Sequence, residues 1–136
     1  MADKLKLEMV TPYKRVLAEE VDEITAPGFV GELGILPGHT PLLTTLRVGE
    51  LSYKKGNEQF HVVVNWGYLE VEEDTVTVLV DTAEKSDEID LARAKAALGR
   101  AEDALKTLPH EDKKYAIMEA ALQRALIRIQ VADKNR

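Results

Sequence analysis

The 136-residue chain has no cysteine, so no disulfide, thiolate nucleophile or cysteine-based metal site is open to it. It also lacks an excess of basic charge. With 24 acidic against 18 basic side chains the net charge is −6, which argues against a general nucleic-acid binder, whose footprint is positive. Aromatic residues are scarce at 5%, and Trp66 and Tyr68 have no adjacent basic residue with which to make a base-stacking platform. They are expected as core or edge aromatics of a small β-domain. No uninterrupted apolar run approaches the ~20 residues that span a bilayer, so membrane association is expected only through partners. The first ten residues, MADKLKLEMV, carry neither a secretory apolar region nor an arginine-rich transit pattern, and the chain is expected to stay where it is made. No GxGxxG or GxxxxGK[ST] phosphate cradle is present.

What is present is a core-forming composition, 45% hydrophobic, distributed with two different periods. Up to about Thr82 the apolar residues alternate: Leu5, Leu7 and Met9; Phe60, Val62 and Val64; Val76, Val78 and Val80. Such spacing predicts half-buried strands. Turn signals separate them at Thr11-Pro12, Ala26-Pro27-Gly28, Val48-Gly49, Lys55-Gly56-Asn57, Trp66-Gly67 and Glu73-Asp74, which fits an antiparallel sandwich or barrel. Val16 to Ile24 breaks the alternation and predicts a bulge or bend. After Ser86 the period lengthens. Leu91, Ala94, Leu98, Ala101 and Leu105, then Tyr115, Met118, Leu122, Ala125, Ile129 and Ala132, recur at spacings of three and four, the mark of two helices packed along a seam. Ser86 or Asp87 is expected to cap the first helix and Asp112 the second, with the chain reversing between Thr107 and Asp112. The expected division is a β-domain over residues 1–85 and an antiparallel helical hairpin over 86–136.

Alanine-rich seams bury little area, and Gly99 weakens the first helix by roughly 1 kcal/mol relative to alanine, so the docking of this hairpin is expected to be marginal. A pair held so loosely can be repositioned by modest binding energy, as a switch requires; the other reading is a permanently docked accessory hairpin. Charge separates the parts as well. From Lys113 onward six basic residues face two acidic ones, a net of +4, while the rest of the chain carries −10. The basic segment is either an ordinary solvated helix face or a surface for an acidic partner, an anionic ligand or the chain's own first domain.

Four of the eight glycines fall between Pro27 and Leu43, in PGFVGELGILPGHTPLL. Gly28, Gly31, Gly34 and Gly38, with Pro27, Pro37 and Pro41, predict a loop shaped by its backbone. Glu32 and His39 are the polar side chains in it most able to act. By residue type alone His39 reads as a surface loop histidine, and His39, His61 and His110 have no metal-ligand or dyad spacing. Asp90 and Arg93, at i and i+3, can form an intrahelical ion pair. Arg124 and Arg128, at i and i+4, can clamp phosphate or carboxylates. Glu84 and Arg100 are weaker candidates for such a site.

The segment Gly31-Glu32-Leu33-Gly34-Ile35-Leu36-Pro37-Gly38-His39, followed by Pro41-Leu42-Leu43, resembles the signature of the epsilon subunit of F-type ATP synthases. The likeness extends through Asp81-Thr82-Ala83, Ile89-Asp90-Leu91-Ala92-Arg93-Ala94 and the helical pair; Thr40 stands where alanine is more frequent. The resemblance implies an N-terminal antiparallel β-sandwich followed by a C-terminal α-helical hairpin. It also implies a noncatalytic central-stalk subunit, whose sandwich meets the gamma subunit and the c ring and whose hairpin regulates hydrolysis by the catalytic alpha and beta subunits. The location it implies is the cytoplasmic face of the bacterial plasma membrane, held there peripherally. Glu32 and His39 would contact the c ring. Part of the family holds ATP between the helices, and the matching positions are Ile89, Asp90, Arg93 and Ala94, with Arg124 and Arg128 at suitable spacing. No cofactor is required, ATP being a possible regulator, and no metal, nucleic acid or catalytic residue is implied. The rival reading is a stand-alone small-molecule-binding or enzymatic β-domain using Glu32 and His39 as acid and base.

Overall fold

The computed structural model describes residues 4–134; Arg136, one of the six basic residues of the terminal segment, lies outside them. The chain divides into two compact units at Lys85/Ser86.

Among the described residues the first unit holds eight strands: β1 (Leu5–Val10), β2 (Arg15–Val21), β3 (Glu23–Gly28), β4 (Gly31–Ile35), β5 (Leu42–Leu46), β6 (Gly49–Lys55), β7 (Glu58–Glu72) and β8 (Thr75–Lys85). They hydrogen-bond in the order β2-β1-β8-β7-β5-β3-β4, with β6 pairing to β3 and β7. The alternation read from the sequence is real burial. Leu5, Leu7, Met9, Val76 and Val78 are all fully inside, and they meet Ile24, Ile35, Leu46, Leu51, Val64 and Leu69 in one core cluster. The sheet folds over on itself to form a β-sandwich. Most pairings are antiparallel, but β1 and β8 run parallel, Leu7 opposite Val76. A parallel pair needs a long crossover, and here everything between the first and last strands supplies it.

Two turn expectations need correction. Pro27 lies inside β3, opposite Glu32, and the reversal falls one step later at Phe29–Val30. The Pro27 carbonyl still accepts the Arg47 N–H, at 3.1 Å, so the proline removes only the donor half of that ladder position. Trp66-Gly67 is not a turn either. β7 continues through it, pairing with β6 up to Val64 and with β5 from Gly67 onward, and bends at Trp66, whose φ is 47°. Gly67 makes the bend possible: a Cβ there would lie 2.0 Å from the Leu79 carbonyl oxygen. The bend expected between Val16 and Ile24 is present, at Asp22 between β2 and β3.

The second unit contains a 3-10 turn, Ser86–Glu88, then α1 (Leu91–Thr107) and α2 (Lys113–Asp133). The first helix starts later than expected. Ser86 and Asp87 belong to the 3-10 turn, and the cap is Asp90, whose carboxylate accepts the Arg93 N–H at 3.1 Å. Asp112 caps α2 as expected, accepting the Lys114 N–H at 2.8 Å. The two helices pack on each other, and buried positions include Ala94, Ala101, Ala125, Val131 and Ala132. His110 stacks on Tyr115 in the connection, ring centres 4.4 Å apart.

Candidate functional site

The signature loop leaves β4 and reverses at Leu36–His39. This is a type II turn by composition and geometry: Pro37 sets its own φ, Gly38 takes φ 86°, and the His39 N–H donates to the Leu36 carbonyl at 3.1 Å. Glu32 is exposed on β4 and His39 is half-buried in the turn. The imidazole Nδ1 lies 2.7 Å from the Thr40 carbonyl oxygen. A carbonyl only accepts, so Nδ1 carries hydrogen and Nε2 is the free acceptor of the neutral ring. No hydrogen bond or ion pair joins Glu32 to His39, so the acid–base reading finds no dyad.

The first-helix motif lies where the hairpin is open. Arg93 is 14 residues before the end of α1, while Arg124 and Arg128 are 11 and 15 residues after the start of α2. At 1.5 Å per residue these are about 21, 17 and 23 Å from the connection, hence one level of the hairpin. The Asp90 carboxylate is engaged by the Arg93 backbone N–H, in place of the ion pair with its guanidinium. Ile89 is largely buried and Ala94 fully so; Arg93 is exposed and Arg124 half-exposed. Arg100 is exposed farther along α1 and Glu84 lies near the end of β8, in the other unit.

Elsewhere polar and charged side chains act as fasteners. Asp22 accepts from Lys4 Nζ and, at 2.6 Å, from the Gly56 N–H. These contacts, Lys4 first, hold its carboxyl below the usual aspartate range against a small opposing effect of desolvation. His61 Nδ1 and Glu50 Oε2 are 2.6 Å apart and partly buried. Among the described residues no group of three or more His, Asp or Glu side chains is placed to hold a metal ion.

The surface that residue reading missed is aromatic. Trp66 and Tyr68 are 53% and 57% exposed, with Phe29 at 60% and Leu79 at 51%, so neither β7 aromatic is a core residue. Val10, Leu79, Tyr68 and Thr45 stand in one row across β1, β8, β7 and β5. Trp66 and Tyr68 form a ridge between two shallow grooves of about 400 and 440 Å³. Phe29 lines one groove and Leu79 the other. The signal was in the spacing: two aromatics at i and i+2 share one face of a strand.

Two family models account for the two units. The beta-sandwich domain of the ATP synthase delta/epsilon chain matches residues 4–86, and the long alpha-helix domain of the same chain matches 87–133. The chain belongs to the ATP synthase delta/epsilon family. The epsilon chain of Geobacter metallireducens is 68% identical over 135 residues, covering 99% of this chain and 98% of that one. That of Citrifermentans bemidjiense is 69% identical over 134 residues, with 98% and 97% covered. Among solved structures, a chain in the cryo-EM structure of Euglena gracilis mitochondrial ATP synthase, containing OSCP, F1 and c-ring in rotational state 1, superposes with a TM-score of 0.81. It is 25% identical, with 93% of this chain and 79% of that one covered. The identification implied by the glycine-rich signature therefore stands, and with it the assignment to a noncatalytic chain of the ATP synthase stalk. No helix among the described residues is long and apolar enough to cross a membrane.

Proposed function

We propose that this family member works as the epsilon chain of a bacterial proton-translocating ATP synthase. Its β unit is the docking platform of the central stalk and its hairpin a movable regulator of hydrolysis. The observation that carries this reading is the exposed ridge of Trp66 and Tyr68, flanked by Phe29 and Leu79, on a unit whose core is already complete. Exposed tryptophan and tyrosine at the centre of an apolar face are typical anchors of a protein interface. We assign this face to the gamma subunit. The c ring meets the loop carrying Glu32 and His39, which has polar side chains on a fixed backbone and suits a polar surface. The assembly lies at the cytoplasmic face of the membrane through these partners.

The hairpin supplies regulation. Its basic α2 is complementary to an acidic surface of the catalytic alpha and beta subunits. ATP, held by Asp90, Arg93, Arg124 and Arg128 with Ile89 and Ala94 beside them, favours the closed hairpin, because a site made by two helices exists only while they are together. ATP is then a signal and not a substrate. Binding of purified gamma subunit to the Trp66→Ala/Tyr68→Ala chain tests the platform. We expect affinity to fall by at least tenfold with the circular dichroism spectrum unchanged; unaltered affinity would remove the ridge from the interface.

A further inference from the structure

The turn after β4 is tied to the rest of its unit by one distant residue. The Gly38 N–H, which takes no part in the turn's own bond from His39 to Leu36, donates to Asp74 Oδ1 at 2.7 Å across 36 positions of sequence. Asp74 occupies the second central position of the β7–β8 hairpin, between Glu72 and Thr75, which pair directly. Glu73 and Asp74 have φ of 48° and 60°, the left-handed pair that a two-residue type I′ turn requires. The Asp74 main chain is fixed from another side as well, its carbonyl accepting the Lys6 N–H at 2.8 Å. Asp74 therefore joins three segments: the entry of β1, the β7–β8 hairpin and the signature turn. Its carboxylate projects from a backbone held at both ends, and a charge-assisted bond of this length is shorter than an ordinary amide–carbonyl contact.

This bond bears on His39. The Thr40 carbonyl orients the imidazole from one side, and Asp74 fixes the residue immediately before it. The ring nitrogen left over for a partner is then Nε2, and Glu32 stands exposed on the neighbouring β4. Two acceptors so placed suit a partner surface that presents N–H or O–H donors.

We propose that Asp74 is a positioning residue: it anchors the Leu36–His39 turn so that His39 Nε2 and the Glu32 carboxylate meet hydrogen-bond donors of the partner in a fixed geometry. This rests on the reading of that loop as the c-ring contact. Two substitutions separate the carboxylate from the backbone it stands on. Asp74→Asn keeps both an acceptor and tolerance of positive φ, whereas Asp74→Gly keeps only the tolerance. Each is measured in two ways: amide exchange at Gly38 and Lys6 by NMR on the full chain, and ATP-driven proton pumping by the reconstituted synthase. In Asp74→Gly we expect exchange at Gly38 about fivefold faster, the factor that one exposed hydrogen bond is worth, with Lys6 unchanged and pumping reduced. Asp74→Asn, which keeps the acceptor without its charge, should exchange at Gly38 between wild type and Asp74→Gly and should pump like the wild type. Unaltered Gly38 exchange in Asp74→Gly overturns the anchor itself. If Gly38 is released and pumping persists, while Glu32→Ala/His39→Ala loses pumping, the loop is a contact that does not need positioning and the proposal is overturned. If that double variant also pumps normally at normal assembly, the contact reading has failed and the proposal with it.

Discussion

The two units of this chain are built from different materials. The β unit buries leucine, isoleucine, valine and methionine on strands from both sides of its core, with Leu5, Leu7, Met9, Ile24, Ile35 and Leu69 all fully enclosed. The helical unit encloses chiefly small side chains, with Ala94, Ala101, Ala125 and Ala132 among its buried positions. At about 0.8 kcal/mol per buried CH₂, each leucine secures its element by roughly 2 kcal/mol more than an alanine in its place. One unit is thus a self-sufficient platform; the other is a pair of well-capped helices with shallow mutual hold. The function proposed above, a firm grip on the stalk with a regulatory arm that changes position, would draw on both properties.

The same substitution should act with opposite sign in the two units, which is the sharpest way to break the contrast. Gly67→Ala sets a Cβ against the Leu79 carbonyl oxygen, 2.0 Å away, in the middle of the longest pairing in the sheet. Backbone on both sides must move, and urea denaturation should show the β unit destabilised by about 3 kcal/mol or more. Gly99→Ala meets nothing within 4 Å of the new carbon and lies inside α1. It should stabilise the hairpin by about 1 kcal/mol, read as slower amide exchange in α1 with the β core unchanged. A loss of stability in Gly99→Ala would mean that the hairpin is packed more tightly than its alanines indicate.

Smaller effects test the fasteners of the β unit. Glu73 occupies a left-handed conformation that a glutamate side chain disfavours. Glu73→Asn should therefore raise the unfolding midpoint, by about 0.5 to 1 kcal/mol in free energy. The smallest effect concerns pH. Lys4 and the Gly56 N–H hold the Asp22 carboxyl below its ordinary value of 3.8. A lowered folded-state value means that the stabilisation is complete above the unfolded value and is lost as pH falls through the folded one. Acid titration of unfolding should show an increment of stability disappearing below about pH 4 in the wild type and absent in Asp22→Asn; identical profiles would remove Asp22 from the clasp.

Much of this contrast could be read from the residues, because burial imposes period two on strands and 3.6 on helices. Leu5, Leu7 and Met9 announce β1, and the alanine seams announce the hairpin. Local signals failed where a distant segment decides the outcome. Trp66-Gly67 reads as a turn, yet β7 continues because β5, β6 and β8 all pair along it. Pro27 reads as a breaker, yet β4 captures it into β3. Ser86 and Asp87 read as caps until a 3-10 turn displaces the helix start to Asp90. The site divides in the same way. The signature singles out Glu32 and His39 as candidates, but alternation shows only that Trp66 and Tyr68 share a face and not which face is outside. The Asp74 anchor spans 36 positions and has no local signature.

If the two units have separate stabilities, native-state hydrogen exchange resolved by peptide on the full chain will separate them. Amides in α1 and α2 should exchange through an opening at least 100-fold easier, about 2.7 kcal/mol lower, than those in β1, β7 and β8, which should exchange only with unfolding of the whole β unit. If helices and core strands opened together with one common free energy, the chain would be a single cooperative body and the hairpin no independent arm.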